Sequence, residues 1–364
     1  MSAVRDGAGL AHRLWRSRSA GGRIARALLL LPAALYRAGA GLRNAAYDAG
    51  VLRARRLPLP SLGVGNLAVG GAGKTPVAAF LAGELARRGA KPGILLRGYR
   101  GGDEAEEHRA RTPGAVVVAD ADRGRGAARA AAEGAEVLVL DDCLQHRAVR
   151  PDALLVVVAE ETAAGPMWPL PAGPWREGLR ALGRGDGVVV TYKTAGAEAA
   201  AATARRLAPR TGAGIGVAAG LAIARLVPLA GGAPLAAAML AGRDVVAACG
   251  IGEPAPFRGQ LERLGARVRL MAYGDHHAWR PDEVAAIAAA AGPGGTVVTT
   301  AKDAARLRPL WPAAGPACLV AELAVRVTYG AEDLSRLLDR IGRAAHPQHQ
   351  RVAAGVPPDR RMPS

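Results

Sequence analysis

The sequence predicts an α/β fold in which a mostly parallel sheet has helices on both faces and a smaller α/β lobe follows. Short apolar runs alternate with stretches rich in Ala and Arg between residues 59 and 191. Continuous apolar strands separated by helices are typical of parallel sheets covered on both faces. The alternation resumes at residue 245, beyond a glycine- and alanine-rich segment at 214–229. We therefore expect lobes at 57–211 and 212–343, with a cleft between them.

The elements follow in chain order. The expected strands of the first lobe are residues 59–64, 93–96, 115–119, 137–140, 153–158 and 187–191, and two of its helices are 77–88 and 122–133. The second lobe should contain a strand-like segment at 214–229, strands at 245–248, 268–272 and 296–300, and helices at 254–264, 281–291 and 332–343. Residues 344–364 are polar and contain proline, so they are expected to form a disordered tail.

A basic segment precedes the first lobe. Residues 1–56 contain eleven Arg and two Asp, so they carry +9 of the chain's net +17. Within them an apolar run at 27–36 is interrupted by Pro32 and flanked by Arg23, Arg26, Arg37 and Arg43. A spanning helix needs about 20 apolar residues. The pattern favours a helix that lies in the membrane interface while its arginines reach the headgroups. A helix packed on the soluble domain is the alternative.

Composition narrows the class of protein. Cys143, Cys249 and Cys318 are far apart and odd in number, which indicates a reduced compartment without a disulfide framework. No Cys/His cluster has the spacing of zinc ligands. The charge of +17 would suit a nucleic-acid-binding module, but only 4% of residues are aromatic and available for base stacking.

The segment 61–76, SLGVGNLAVGGAGKTP, joins a predicted strand to a predicted helix through a glycine-dense turn. This layout is that of a phosphate-binding P-loop, although Ala68 stands where the strict pattern has glycine. Lys74 would reach the β- and γ-phosphates of ATP, and Thr75 would hold Mg²⁺. The turn residues expected around the phosphates are Ala68, Val69, Gly70, Gly71, Ala72 and Gly73. Lysine is rare in this chain, with four Lys against 44 Arg, so its presence here favours function over an accidental match.

An acid pair follows another apolar strand. Asp141 and Asp142 come directly after residues 137–140, and Gln145 and His146 follow them. Carboxylates at the carboxyl end of a strand beside a P-loop resemble a Walker B element that binds Mg²⁺.

Four further segments carry polar side chains. Asp103 lies in the loop after the second strand, and residues 169–177, including Glu177, form a proline-stiffened loop. Asp275 and His276 follow a second-lobe strand, where a carboxylate could set the basicity of the histidine. Lys302 follows the strand at 296–300 and is a candidate phosphate or substrate contact. Each segment alone is equally compatible with an ordinary surface loop.

Taken together, these segments resemble the tetraacyldisaccharide 4′-kinase family, the lipid A kinases of Gram-negative bacteria. The resemblance covers roughly residues 15–340. It rests on matching segments in the correct order at residues 64–76, 97–100, 102–104, 141–146, 170–177, 250–254, 275–276 and 300–303. The family also lacks the strict P-loop glycine at position 68. The chain departs from the family in three places: it nearly lacks an insert before Asp103, and Cys143 and Leu144 replace Gly and Phe.

The resemblance implies an ATP-dependent kinase that phosphorylates the 4′-hydroxyl of a tetraacyl glucosamine disaccharide 1-phosphate. Asp103 and His276 would form an acid–base pair assisted by Lys74, while Thr75, Asp141 and Asp142 would hold Mg²⁺. Gln145, His146 and Glu177 would support ATP or the metal. The enzyme would work at the cytoplasmic face of the inner membrane of a Gram-negative bacterium, without nucleic acid or an obligate protein partner.

The alternative function is a P-loop GTPase or ATPase switch, or a metallochaperone. A base-reading Asn-Lys-x-Asp or Thr-Lys-x-Asp element would be needed, but Lys302 stands third in the segment Thr-Ala-Lys-Asp at 300–303. A switch-type Asp-x-x-Gly after the strand that ends at residue 140 is also missing.

Overall fold

The computed structural model describes residues 14, 15, 17, 19–98 and 103–345, with Asp103 described by its backbone alone. The predicted tail lies outside the described residues except for positions 344 and 345, which belong to the last helix. Tyr99, Arg100, Gly101 and Gly102 also lie outside them.

Helices and strands alternate along most of the described chain. The helices are α1 (Ala20–Leu28), α2 (Leu30–Asp48), α3 (Lys74–Arg87), α4 (Asp103–Arg111), α5 (Arg123–Ala132), α6 (Glu160–Ala163), α7 (Ala197–Leu207), α8 (Pro254–Arg263), α9 (Pro281–Ala291), α10 (Ala301–Leu307) and α11 (Ala331–Ala345). The strands are β1 (Arg55–Arg56), β2 (Ser61–Asn66), β3 (Pro92–Leu96), β4 (Val116–Ala119), β5 (Val137–Leu140), β6 (Val149–Arg150), β7 (Ala153–Ala159), β8 (Gly187–Tyr192), β9 (Ile215–Pro228), β10 (Leu235–Ala236), β11 (Asp244–Cys249), β12 (Arg267–Ala272), β13 (Thr296–Thr300) and β14 (Ala317–Tyr329).

A sheet of twelve strands runs through the described chain, and β1 and β6 form a separate parallel pair. Its strand order is β12-β11-β13-β14-β9-β8-β7-β2-β5-β3-β4, and the short β10 pairs with β9. Within this sheet, β9 is antiparallel to β14 and to β10, and the remaining pairs are parallel. The predicted α/β class and mostly parallel sheet are confirmed. The two lobes are halves of one sheet, joined by the long strands β9 and β14.

Helices cover both faces of the first half. On one face, α3 and α11 pack leucines into the core that contains Leu62 and Val64 of β2, both fully buried. On the other face, α5 and α7 pack alanines into the core that contains Leu138 and Leu140 of β5, both fully buried. Small alanine side chains let these helices lie close to the sheet. The strands alternate between the two cores because successive side chains point to opposite faces.

The second half is built in the same way around β11 and β13. Phe257 and Leu261 of α8 pack on one face, and Val284 and Ile287 of α9 pack on the other. The last helix was expected in the second lobe, but α11 packs Leu334, Leu337 and Leu338 into the first-lobe core. The chain returns because β14 runs antiparallel to β9 and ends beside the first lobe.

The N-terminal helices α1 and α2 meet at a bend of 42°. Among the described residues no single helix is long and apolar enough to cross a membrane. Taken together, the two helices of this bent pair reach that length and apolar composition. Both helices leave large apolar side chains exposed, namely Ile24, Leu28, Leu30, Leu31, Leu35, Tyr36 and Leu42.

Candidate active site

A cavity of about 460 Å³ lies between the two halves of the sheet. Its first wall contains the glycine-rich loop after β2 and the acid pair after β5. Its second wall contains the loops after β11, β12 and β13. Ligands of open α/β sheets bind at the carboxyl ends of strands, so this cavity has the expected position for a substrate site.

The glycine-rich loop requires glycine at two positions and is hydrogen-bonded to a neighbouring loop. Gly70 and Gly73 have φ angles of 110° and 81°, which favour glycine. A Cβ on Gly73 would lie 2.3 Å from Cδ1 of Leu221. A side chain at this position would therefore have a strained backbone and too little space. The amide of Val69 donates to the carbonyl of Pro174 at 2.8 Å, which ties the loop to the 169–177 segment.

Lys74 is the first residue of α3 and lines the cavity. Its Nζ lies 3.8 Å from Oδ1 of Asp142, and 16% of the side chain is exposed. Burial lowers the pKa of the Lys74 ammonium, and the Asp142 carboxylate opposes that shift. The positive end of the helix dipole adds to this charge at the cavity wall.

The two aspartates after β5 have different surroundings. Asp141 is buried, and its Oδ2 lies 3.0 Å from Nε2 of the buried His108. Burial opposes ionisation of Asp141, but the hydrogen bond and charge of His108, together with Lys74 and Thr75, lower the pKa of this carboxyl. Asp142 is partly exposed and has a φ of 52°, an uncommon conformation for a non-glycine residue.

A divalent cation fits the chemistry of this corner. Oδ1 of Asp141 is buried and accepts no hydrogen bond from the described residues, while Thr75 and Asp142 line the same cavity. These residues offer the hard oxygen ligands that Mg²⁺ prefers beside phosphates and water. The described residues contain no group of three or more His, Cys, Asp or Glu that could hold a metal by themselves.

A hydrogen-bonded chain of side chains lies behind Asp142. Nη1 of Arg176 lies 3.3 Å from Oδ2 of Asp142 and donates to Oε1 of Gln145 at 3.1 Å. The Gln145 Nε2 atom donates to the carbonyl of Asn66 at 2.9 Å and to Oε1 of Glu177 at 3.2 Å. Gln145 and Arg176 line the cavity, whereas Glu177 lies behind them. The predicted support of ATP or metal by Glu177 would therefore be indirect.

Ala68 and Ala72 were also predicted to contact the nucleotide, but both are buried and neither lines the main cavity. Ala68 forms an isolated antiparallel bridge with Trp175, and the carbonyl of Ala72 accepts from the Thr191 hydroxyl at 2.8 Å. Both residues shape the loop while Val69, Gly70, Gly71 and Gly73 face the cavity. His146 lines the cavity, and burial with nearby arginines lowers its pKa.

The second half supplies His276 to the cavity. His276 has a φ of 55°, and its amide donates to the carbonyl of Gly250 at 3.1 Å. The buried Asp303 accepts from the Gly250 amide at 3.0 Å and from the Thr300 hydroxyl at 2.6 Å. Burial raises the pKa of Asp303, and these hydrogen bonds oppose the rise. Asp303 thus anchors the turn that carries His276.

Asp103 begins α4. Its side chain lies outside the described part of the chain, so the pairing of Asp103 with His276 stays a prediction. The next residue, Glu104, lines the cavity, where burial and the charge of Asp141 raise its pKa.

Three of the chain's four lysines meet at this cavity: Lys74, Lys193 and Lys302 line it. Lys193 follows β8, and its ammonium donates to the carbonyl of Gly71. Burial lowers the pKa of Lys193, and the positive charge of Lys302 adds to that effect. Lys193 was not predicted as a site residue from the sequence. The rarity of lysine was a signal that could have identified it.

Comparisons with known proteins show which proteins the chain resembles. The family model described as LpxK, tetraacyldisaccharide-1-P 4′-kinase, matches residues 25–343. A tetraacyldisaccharide 4′-kinase of Anaeromyxobacter dehalogenans strain 2CP-C is 38% identical over 352 residues, covering 89% of this chain and 93% of the relative. One from Methylorubrum populi is 40% identical over 277 residues, covering 69% and 78%.

Among solved structures, a crystal structure of LpxK from Aquifex aeolicus in complex with ATP superposes with a TM-score of 0.67. The sequences are 28% identical, and the match covers 87% of this chain and 99% of the other.

Proposed function

The chain belongs to the tetraacyldisaccharide 4′-kinase family and is an ATP-dependent lipid A 4′-kinase, and we propose how its residues carry the phosphoryl transfer. The observation that carries the proposal is the meeting of three lysines, the glycine-rich loop and the acid pair in one cavity. Phosphoryl transfer depends mainly on positioning and on stabilisation of charge on the transferred group. A cluster of cationic groups on a backbone loop suits that need.

The glycine-rich loop acts as a P-loop for ATP. Amides between Gly70 and Thr75, together with the start of α3, bind the phosphate oxygens. Lys74 contacts the β- and γ-phosphates, and Lys193 and Lys302 add charge from the two walls of the cavity. The ammonium groups repel one another in the free protein, and a triphosphate bound among them relieves this repulsion.

Thr75, Asp141 and Asp142 would hold Mg²⁺ on the phosphate side of the cavity, where the ion would supply positive charge to the transferred phosphate. His108 keeps Asp141 ionised and fixes one of its oxygens. Arg176 lies against Asp142 and holds the second carboxylate in place.

Asp103 and His276 form the acid–base pair for the 4′-hydroxyl of the acceptor sugar. A general base must lie within hydrogen-bond reach of the proton that it accepts. His276 enters the cavity from the wall opposite Lys74, which supports this role. The proton of the hydroxyl passes to this pair as the new oxygen–phosphorus bond forms and ADP leaves.

The N-terminal helices hold the enzyme at the membrane surface where the acylated substrate lies. Exposed leucines of α1 and α2 support this arrangement, as do the arginines that flank them, Arg23, Arg26, Arg37 and Arg43. Because ATP is cytoplasmic, the enzyme works at the cytoplasmic face of the inner membrane.

Replacement of Lys74 by alanine tests the chemical assignment. We expect kcat to fall by about 10²-fold or more, because one preorganised charge at a transferred group is worth that much. The readout is the formation of bisphosphorylated lipid from ATP, Mg²⁺ and the disaccharide monophosphate in detergent micelles. Lys91→Ala is the matched control, since Lys91 lies outside the cavity. A folded Lys74→Ala protein with near-normal turnover would refute the assignment.

A further inference from the structure

Helix α2 reaches beyond the surface that carries its exposed leucines. The side chain of Asn44, in its last turns, donates from Nδ2 to Oε2 of Glu177 at 3.0 Å. Its Oδ1 accepts from Nη1 of Arg184 at 3.2 Å. One residue earlier, Nη2 of Arg43 donates to the backbone carbonyl of Gln145 at 2.7 Å. The same helix therefore contacts two residues of the side-chain network behind Asp142.

The two oxygens of Glu177 have separate partners. Oε2 accepts from Asn44 and from Arg184 at 2.7 Å, and Oε1 accepts from Gln145. The Glu177 side chain is 11% exposed, so water has little access to replace a lost partner. Removal of the Asn44 amide leaves the carboxylate held by one arginine on that side and free to rotate toward it.

Glu177 and the carbonyl of Asn66 together fix the orientation of the Gln145 amide. Gln145 presents its NH₂ group to Glu177 and to the carbonyl of Asn66, and its oxygen to Arg176. A reversed amide would place its oxygen against the Glu177 carboxylate, which is unfavourable. The carboxylate therefore selects the rotamer that lets Gln145 accept from Arg176, and Arg176 in turn lies against Asp142.

We propose that Asn44 is a positioning residue for phosphoryl transfer, which fixes Glu177, and through it Gln145 and Arg176, against Asp142. The proposal rests on the proposed role of Asp142 at the phosphate side of the cavity. Because Asn44 lies on the helix that exposes Leu31 and Leu35, the network joins the proposed lipid-facing surface to the site of chemistry. Displacement of α2 from the protein surface would loosen the contact between Arg176 and Asp142.

Two variants of Asn44 test the proposal in the full-length enzyme. Asn44→Ala removes both contacts, whereas Asn44→Asp keeps the shape but places an acceptor opposite Glu177. We expect kcat to fall about tenfold in both, which corresponds to about 1.4 kcal/mol. The KM for the lipid should stay unchanged, and the Mg²⁺ concentration for half-maximal rate should rise severalfold. Gly41→Ala is the control, because Gly41 lies on the same helix with nothing near its Cβ position.

A double-mutant cycle identifies the route. Glu177→Gln should lower kcat, and Asn44→Ala should add little to it, because both changes release the same rotamer of Gln145. Lys302→Ala lies outside the network, so its effect should multiply with that of Asn44→Ala. If the effects of Asn44→Ala and Glu177→Gln on kcat multiplied instead, the proposed route would be wrong.

Two further results would overturn the positioning role. One is a wild-type kcat and Mg²⁺ requirement in both Asn44 variants. The other is a loss of rate that follows the unfolded fraction in thermal melts while the Mg²⁺ requirement of the folded protein is unchanged. Either result leaves the Lys74→Ala experiment unaffected, so failure of this inference is distinguishable from failure of the proposed catalytic assignment.

Discussion

Lys193 and Lys302 bring two further ammonium groups to the cavity that contains Lys74. Alanine at either position should weaken ATP binding about tenfold, because one lost contact to a charged phosphate is worth about 1.4 kcal/mol or more. Isothermal titration of ATP·Mg²⁺ measures this change, with Lys91→Ala as a control. Unchanged affinity in both cavity variants would remove these lysines from the nucleotide site.

The lowered pKa of Lys74 predicts how ATP affinity depends on pH. The ammonium form binds phosphate, so affinity is complete below the folded-state pKa and decreases as pH rises through it. Because burial lowers this pKa, the decrease begins at a lower pH than an ordinary lysine would give. Lys74→Arg stays protonated, so its binding, although weaker, should vary less with alkaline pH. Titrations of the two proteins across this range check the prediction, and identical profiles would contradict it.

Gly73 is limited by both conformation and space. Gly73→Ala combines a φ of 81° with a contact of 2.3 Å to Leu221, so ATP binding should be lost. Gly50→Ala has a φ of 74° and nothing near its Cβ, so it isolates the cost of conformation, about 1–2 kcal/mol. Because Gly50 lies outside the cavity, equal ATP affinity in the two variants would show that neither the conformation of Gly73 nor its contact with Leu221 matters for binding.

The site residues that form local patterns could be identified from the sequence. Lys74 and Thr75 follow a glycine-rich turn at the start of α3, and Asp141 and Asp142 follow the apolar strand β5. Such spacing is readable without a structure. The contact of His108 with Asp141 joins helix α4 to the end of β5, and that of Leu221 with Gly73 joins β9 to the loop. These contacts depend on tertiary packing between distant segments, so no local pattern predicts them.

At the scale of elements, the apolar runs predicted the first-lobe strands of the large sheet because buried strands have a distinct composition, whereas the two-residue strand β6 was not predicted. No strand was predicted after residue 300, yet β14 (Ala317–Tyr329) is central to the sheet. Its burial decreases along its length as it leaves one half and enters the other, so it lacks the continuous apolar character of the other strands. Its course also explains why α11 packs on the first half.

The last helix should contribute strongly to stability. Leu338 is 1% exposed in the first-lobe core, so Leu338→Ala should lower the free energy of unfolding by about 2–5 kcal/mol. Urea denaturation followed by circular dichroism measures this value. Leu42→Ala is the control because Leu42 is 76% exposed and should change stability by less than about 0.5 kcal/mol. If the two substitutions lowered the free energy of unfolding equally, α11 would not be part of the cooperatively folded core.

For the whole molecule, the distribution of exposed leucines predicts how it meets a membrane. The triple variant Leu28→Gln, Leu31→Gln and Leu35→Gln should bind anionic vesicles more than tenfold more weakly, since burial of one leucine is worth about 1.5–3 kcal/mol. Sedimentation with vesicles measures binding, and Leu235→Gln, on the second half, is the control. Equal sedimentation of the triple variant and the parent protein would locate the membrane contact elsewhere.

The long strands β9 and β14 have a mechanical consequence for the cavity. Its walls belong to a single hydrogen-bonded ladder, so they have no free pivot between them, and any change in their spacing must flex two paired strands. The pairing is irregular between Glu322 and Leu323, and Ala321 and Leu323 lie in the cavity wall. Irregular pairing bends a strand locally, so flexure concentrates beside the cavity. The width of the cavity therefore depends on how far the sheet bends. A substitution that changes the twist of β9 or β14 would alter turnover even if it replaced no polar group in the cavity.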